Sequence, residues 1–198
     1  MNKYIHTIIL IILIGSSSVK PQNGAYIAPV IKFTSINGQG ANILGVKWGW
    51  VINKTFIIGA AYYALNSDVS QNWVDPANGS PSIIKFTTGG LNFEYLFLSG
   101  NVFSASAEMF LGGAGINLRP KDSNQLFTVM YGGDFLVWEP QLNANLNLND
   151  WFHLSLGASY RTTSALDIYT NNDPAGPHFP MKDLRGFASS ISLIFGMY

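Results

Sequence analysis

The segment Trp151–Arg161, WFHLSLGASYR, alternates without interruption. Phe152, Leu154, Leu156, Ala158 and Tyr160 are apolar, whereas His153, Ser155, Gly157, Ser159 and Arg161 are small, polar or charged. Side chains leave a strand alternately from its two faces, so a period of two predicts a strand with one apolar and one polar side. The same pattern predicts eight strands, over Ala25–Ser35, Ala41–Val51, Thr55–Leu65, Ile83–Leu98, Val102–Ile116, Phe127–Leu148, Trp151–Thr163 and Arg185–Tyr198. The tight connections Ile52-Asn53-Lys54, Ser99-Gly100-Asn101 and Asn149-Asp150 alternate with Ile36–Gly40, Asn66–Ser82, Asn117–Leu126 and Ser164–Leu184, of which three are long. Short turns at one end and long loops at the other are the pattern of an up-and-down barrel in an outer membrane, and an even strand number leaves both termini at the short-turn end.

The apolar rows decide between water and lipid outside. They read Leu44, Val46, Trp48, Trp50; Phe56, Ile58, Ala60, Tyr62; Leu91, Phe93, Tyr95, Phe97; Phe103, Ala105, Ala107, Met109, Leu111; Leu136, Trp138, Pro140, Leu142, Ala144, Leu146, Leu148; and Ile191, Leu193, Phe195, Met197. None of these rows carries a charge, as expected of a surface facing hydrocarbon, where a Lys or Arg costs about 2–4 kcal/mol at mid-bilayer. The opposite rows hold Glu139, Gln141, Asn143, Asn145 and Asn147, with Asn92, Glu94, Ser104, Ser106 and Glu108, interspersed with Gly45, Gly49, Gly59, Gly90, Gly112 and Gly157. Glycine and serine suit the crowded inside of a narrow barrel better than the wet face of a sandwich. The first strand is apolar on both faces from Tyr26 to Ile31, so its own pattern does not orient it. The expected fold is all-β, an eight-stranded antiparallel up-and-down transmembrane β-barrel.

Such a barrel encloses its polar row. Glu94, Glu108 and Glu139 then face Lys32, Lys47 and Arg161, with His153 on a matching row. Enclosed charges need partners, because unpaired burial costs several kcal/mol. The expectation is a neutral salt-bridge lattice filling a polar lumen, with no open pore, since eight strands leave room only for side chains. An ion path or proton site through these groups is the weaker reading.

Composition narrows the class. Charged residues make up 11% of the 198, against roughly 25% in ordinary soluble proteins. Net charge is zero, which removes the basic face a nucleic-acid binder needs. There is no Cys, hence no disulfide, thiolate metal site, Cys nucleophile or lipidated cysteine. Lys3, the apolar run Ile8–Leu13 and Ser16-Ser17-Ser18 have the order of a cleavable export signal, expected over residues 1–22, with the barrel domain over 23–198. No later stretch is apolar for long enough to span a membrane as a helix.

Aromatic residues gather beside the short turns. Trp50 and Phe56 flank the first, Phe97 and Phe103 the second, and Trp151 and Phe152 follow the third, while Tyr62 and Tyr160 lie toward the other rim. Amphipathic rings favour the headgroup level, so these predict a girdle. At the C-terminus Ile191, Leu193, Phe195 and Met197 alternate up to Tyr198, which resembles the terminal strand signal of bacterial outer-membrane proteins, with Tyr198 one step out of phase. The chain from residue 23 onward resembles the small OmpA/OmpX-type barrels, and its Tyr-, Asn- and Gly-rich style resembles uncharacterised outer-membrane proteins of Bacteroidota. The resemblance implies residence in the outer membrane among its lipids, with other envelope proteins as candidate partners. It implies no cell-wall tethering, because nothing in the chain corresponds to the peptidoglycan-binding domain of full OmpA-like proteins.

Candidate chemistry is sparse. No phosphate loop, HExxH, GxSxG or dinucleotide fingerprint occurs, and no cofactor or metal is expected, since beyond the leader only His153 and His178 are available. His153-Leu154-Ser155 resembles the His-x-Ser pair of the lipid A deacylases, which are eight-stranded barrels, but it falls beside a short turn on the inward row. The expected role is non-enzymatic: structure or binding through extracellular loops, or a subunit of an envelope complex. Trp73, Tyr169, Phe179 and Met181 on the two longest loops form the candidate binding surface. The alternatives are a lipid-modifying barrel enzyme, a narrow transporter of small apolar solutes and a secreted soluble barrel.

Overall fold

The alternating segments pair into a closed wall. The structure is a computed structural model describing residues 23–74, 81–120, 131–167 and 184–196; the predicted leader, residues 1–22, lies outside them. The strands are β1 (Gly24–Ile36), β2 (Gln39–Ile52), β3 (Phe56–Leu65), β4 (Val69–Val74), β5 (Pro81–Ser99), β6 (Phe103–Pro120), β7 (Tyr131–Asn149), β8 (Phe152–Asp167) and β9 (Gly186–Gly196). Every pairing is antiparallel, and β1 meets β9 to close the cylinder. β3 and β4 both pair with β5, so they form one stave interrupted at residues 66–68. The result is the eight-staved antiparallel barrel expected from the pattern.

All eight predicted strands are present. The addition is β4, inside the connection read as a loop over Asn66–Ser82. Its sequence VSQNWV is too short and too polar to show a period of two. Long-range partners hold it instead: the Gln39 amide donates to the Ser70 carbonyl at 2.8 Å and accepts from the Ser70 N–H at 3.2 Å. A primary amide thereby stands where a neighbouring strand's peptide would.

The β1–β2 connection at the long-loop rim is a two-residue turn. Asn37 and Gly38 both have positive φ (51° and 71°), as a type I′ turn requires. At the opposite rim Asn53 and Lys54 adopt φ of 52° and 55°, and the turn is closed by the Thr55 N–H on the Ile52 carbonyl at 3.1 Å. Asparagine tolerates that region and lysine does not. Lys54→Gly is therefore expected to stabilise the barrel by roughly 0.5–1 kcal/mol, read as a raised urea midpoint for the refolded protein.

Inside the wall, glycines meet where strands approach closely. Gly49 faces Gly59 across β2–β3, and Gly90 faces Gly112 across β5–β6. A Cβ on Gly49 would stand 2.9 Å from the Ile58 carbonyl oxygen and 3.1 Å from the Gly59 Cα, so the tight curvature here admits no side chain.

The lumen is filled in layers. Toward the short turns lie Tyr26, Ala28, Val51, Ile57, Leu96 and Ile194. Toward the long loops lies a larger apolar cluster that includes Ile36, Ile43, Tyr63, Phe86, Phe110, Phe135 and Leu184. Tyr63 and Phe110 meet edge to face at 5.5 Å, and Phe86 stacks on Phe135 at 6.0 Å. The expectation of a polar lumen is corrected: polar groups occupy the middle, between apolar plugs. Near the loop-end rim of β5 the inward residues Ile84 and Phe86 alternate with Lys85 and Thr87 outside, so the lumen face there is the apolar one.

Candidate functional site

The lumen lattice is built by strand parity. Lys32 on β1, Lys47 on β2, Glu94 on β5, Glu108 on β6, Glu139 on β7 and Arg161 on β8 all fall on inward positions and are buried. Lys47 Nζ lies 2.8 Å from Glu108 and 3.8 Å from Glu94. Glu94 and Glu108 are direct cross-strand partners, an arrangement that repels unless a cation sits between them. Lys47 is that cation. The Asn143 amide donates to Glu108 at 2.9 Å and to Glu94 at 3.3 Å, and Ser106 donates a short hydrogen bond to Glu94. The Gln141 amide donates to Asn143 at 2.6 Å.

A second centre forms on Glu139. Lys32 Nζ lies 2.6 Å from it, and the Ser159 hydroxyl donates to the same oxygen at 2.7 Å. Lys32 also stands 4.2 Å from the centre of the Tyr63 ring, a cation–π contact in a dry site. The pattern concealed the role of Tyr63, although its neighbour Tyr62 lies in the outward row, which places Tyr63 inside.

Two expected lattice members sit differently. Arg161 is 2% exposed, but its guanidinium donates to the Leu184 carbonyl at 2.8 Å and the Thr34 hydroxyl at 3.3 Å, with the Phe86 ring at 5.6 Å. Glu139 acts on it through space without a direct ion pair within 4.0 Å. Arg161 thus anchors the root of the β8–β9 connection rather than pairing in the lattice. His153 is buried at the short-turn end, its Nδ1 3.0 Å from Asn147 Oδ1, away from the charged centres. Ser155 is buried on the same inward row, so the His-x-Ser pair points into the barrel. Among the described residues no group of His, Cys, Asp and Glu is arranged to hold a metal.

The outer face is the complement. Trp48, Trp50, Ile58, Tyr62, Leu91, Phe93, Leu111, Leu136, Trp138, Leu142, Leu156 and Ile191 are exposed, as the rows predict. The orientation of β1 is resolved: Tyr26, Ala28, Val30 and Lys32 point in, and Ile27, Pro29 and Phe33 point out. Outward charges among the described residues lie only at the ends. Asp68 pairs with Lys85 at 2.8 Å, and Asp134 and Arg185 join them at the long-loop rim, while Lys54 and Asp150 sit on short turns. Between these ends β7 presents only apolar residues outward from Leu136 to Leu148. That stretch advances roughly 40 Å, or about 30 Å along the barrel axis at a tilt near 40°.

Aromatic rings border the band. At the short-turn end Trp50, Phe56, Tyr95, Phe97, Phe103 and Trp151 are exposed; Phe56 meets Tyr95 at 5.0 Å, and Phe195 stacks on Phe152 at 5.1 Å. Toward the other rim Tyr160 packs against Phe187 at 4.9 Å.

No protein-family model matches the sequence, and no curated relative matches it. Solved structures do. The N-terminal β-barrel domain of Pseudomonas aeruginosa OprF superposes with a TM-score of 0.56 at 10% identity, covering 88% of this chain and 97% of that one. Neisserial surface protein A superposes with a TM-score of 0.54 at 8% identity, covering 89% and 97%. The fold is that of the small eight-stranded outer-membrane barrels. Identity this low means the same wall is built from different side chains. Of the candidate loop surface, Trp73 lies on β4, and Tyr169, Phe179 and Met181 lie outside the described residues.

Proposed function

We propose that the chain is an integral protein of the bacterial outer membrane, with no catalytic or conducting role, that serves as a rigid mount for the segments it carries above the long-loop rim. One observation carries this reading: a charge-free apolar band about as tall as a bilayer core surrounds a lumen whose carboxylates each meet a lysine within 4.0 Å and whose ends are filled by apolar clusters. Hydrocarbon is the solvent that such a surface fits. The buried ion-paired lattice supports a structural role for the lumen, and the loops supply the binding surface for lipid or other envelope proteins.

Reconstitution tests the reading. The refolded chain is expected to partition into detergent, to migrate faster on gels unheated than boiled, and to add no current steps to a planar bilayer. Deleting it should leave the acyl pattern of lipid A unchanged. Discrete conductance would favour a transporter, and an altered acyl pattern would favour a lipid-modifying enzyme. Solubility as a monomer without detergent would reject the membrane assignment altogether.

A further inference from the structure

Two prolines address the same hairpin from opposite sides. On one side each is paired normally, Pro29 of β1 with Val46 of β2, and Pro140 of β7 with Met109 of β6. On the other side the ladder lapses. β1 pairs with β9 at Ile27–Phe195 and resumes only at Val30–Ser192, skipping Ala28 and Pro29. β7 pairs with β8 at Trp138–Thr162 and resumes only at Gln141–Ser159, skipping Glu139 and Pro140. Proline has no N–H to donate, so a strand ladder is cut on the edge its nitrogen faces. Between the two cuts the β8–β9 hairpin is itself continuous, from Phe152–Phe195 to Arg161–Gly186.

The same hairpin contributes little to the core. Its lumen face carries His153, Ser155, Gly157, Ser159, Arg161 and Thr163 on β8 and Ala188, Ser190, Ser192 and Ile194 on β9, mostly small or polar side chains, with Arg161 the large exception. Among the described residues β8 supplies nothing to either apolar cluster of the lumen, and β9 supplies only Ile194. Polar side chains replace the missing ladder bonds. Glu139 takes Lys32 of β1 and Ser159 of β8 on one oxygen, so it bridges the cut at Pro140 and reaches through the lumen to the strand beyond β9. The Thr34 hydroxyl donates to the Phe187 carbonyl at 2.8 Å and pins β9 to β1.

We propose that β8–β9 is a movable leaf of the wall, bounded by proline-cut seams and latched from inside by Glu139, and that it opens ahead of the rest of the barrel. Local opening follows interrupted ladders and sparse buried apolar contact; both seams of this hairpin are interrupted at a proline, and it adds only Ile194 to the apolar clusters of the described residues. The inference is independent of what the loops bind.

Hydrogen–deuterium exchange on the full folded chain in detergent micelles tests it. Amides of β8 and β9 are expected to exchange at least tenfold faster than those of β2 and β6. Equal protection in all four strands would overturn the proposal. Pro140→Val restores an N–H at the β7–β8 seam and should slow exchange in β8 several-fold while leaving β2 unchanged; no change in β8 would also overturn it. Glu139→Gln should accelerate β8–β9 selectively, whereas a merely structural charge would loosen β5 and β6 as well. If Pro140→Val does not refold, Pro29→Val reports on the β1–β9 seam by the same criterion.

Discussion

Lys47→Met is expected to destabilise the folded barrel by roughly 3–5 kcal/mol, the usual effect of removing one partner from a buried ion pair. The size follows from what remains. Glu94 and Glu108 stand opposite each other on β5 and β6, and Lys47 is within 4.0 Å of both. Without it the two facing carboxylates lose the cation between them, and the neutral Asn143 amide and Ser106 hydroxyl do not cancel their charge. Urea titration in bilayers, followed by the gel shift between folded and unfolded forms, measures the loss. Replacing all three residues together, with Glu94→Gln and Glu108→Gln added, should recover most of it, because a neutral amide network removes the stranded charge. A loss below about 1 kcal/mol for the single variant would mean that the lattice does not hold the barrel together.

Leu142→Arg carries the second large effect. Leu142 is 62% exposed at the middle of the outward row of β7, between Pro140 and Ala144. In a bilayer the substitution is expected to cost about 2–4 kcal/mol, falling to about 0–1 kcal/mol for Leu148→Arg at the short-turn interface. The depth dependence is the diagnostic part. On a water-facing surface both positions would be nearly neutral. Equal and small effects at the two sites, measured in vesicles, would therefore remove hydrocarbon from the outside of this barrel.

Much of the architecture is legible in the sequence, for a geometric reason. Successive side chains on a strand must point to opposite faces, so the alternation of Phe152 through Arg161 states both the strand and its sidedness. The absence of charge on one row then tells the two faces apart. Where both faces are apolar the same logic fails. Tyr26–Ile31 could not be oriented by its own pattern, and although parity puts Ile84, Phe86 and Phe135 inside, only the structure shows that they gather as a plug at the loop end of the lumen. β4 was missed because six largely polar residues hold no period; its place comes from β5 and the Gln39 amide.

The candidate site divides in the same way. Parity alone put Lys32, Lys47, Glu94, Glu108, Glu139 and Arg161 inside, and balanced their charges. Parity says nothing about height around a tilted, staggered cylinder. Lys32 and Glu139 are 107 residues apart in the chain, and only the closure of β1 on β9 and the register of each intervening pair bring them to 2.6 Å. The same register lifts Arg161 toward Leu184 and Thr34, and leaves His153 at the short-turn end beside Asn147. Sequence by itself thus determined the strands and the apolar or polar character of their two faces, because these depend on neighbours in the chain. The tertiary structure alone decided which charges pair, where the lumen is plugged and which seams prolines cut, because those depend on contacts between strands far apart in sequence.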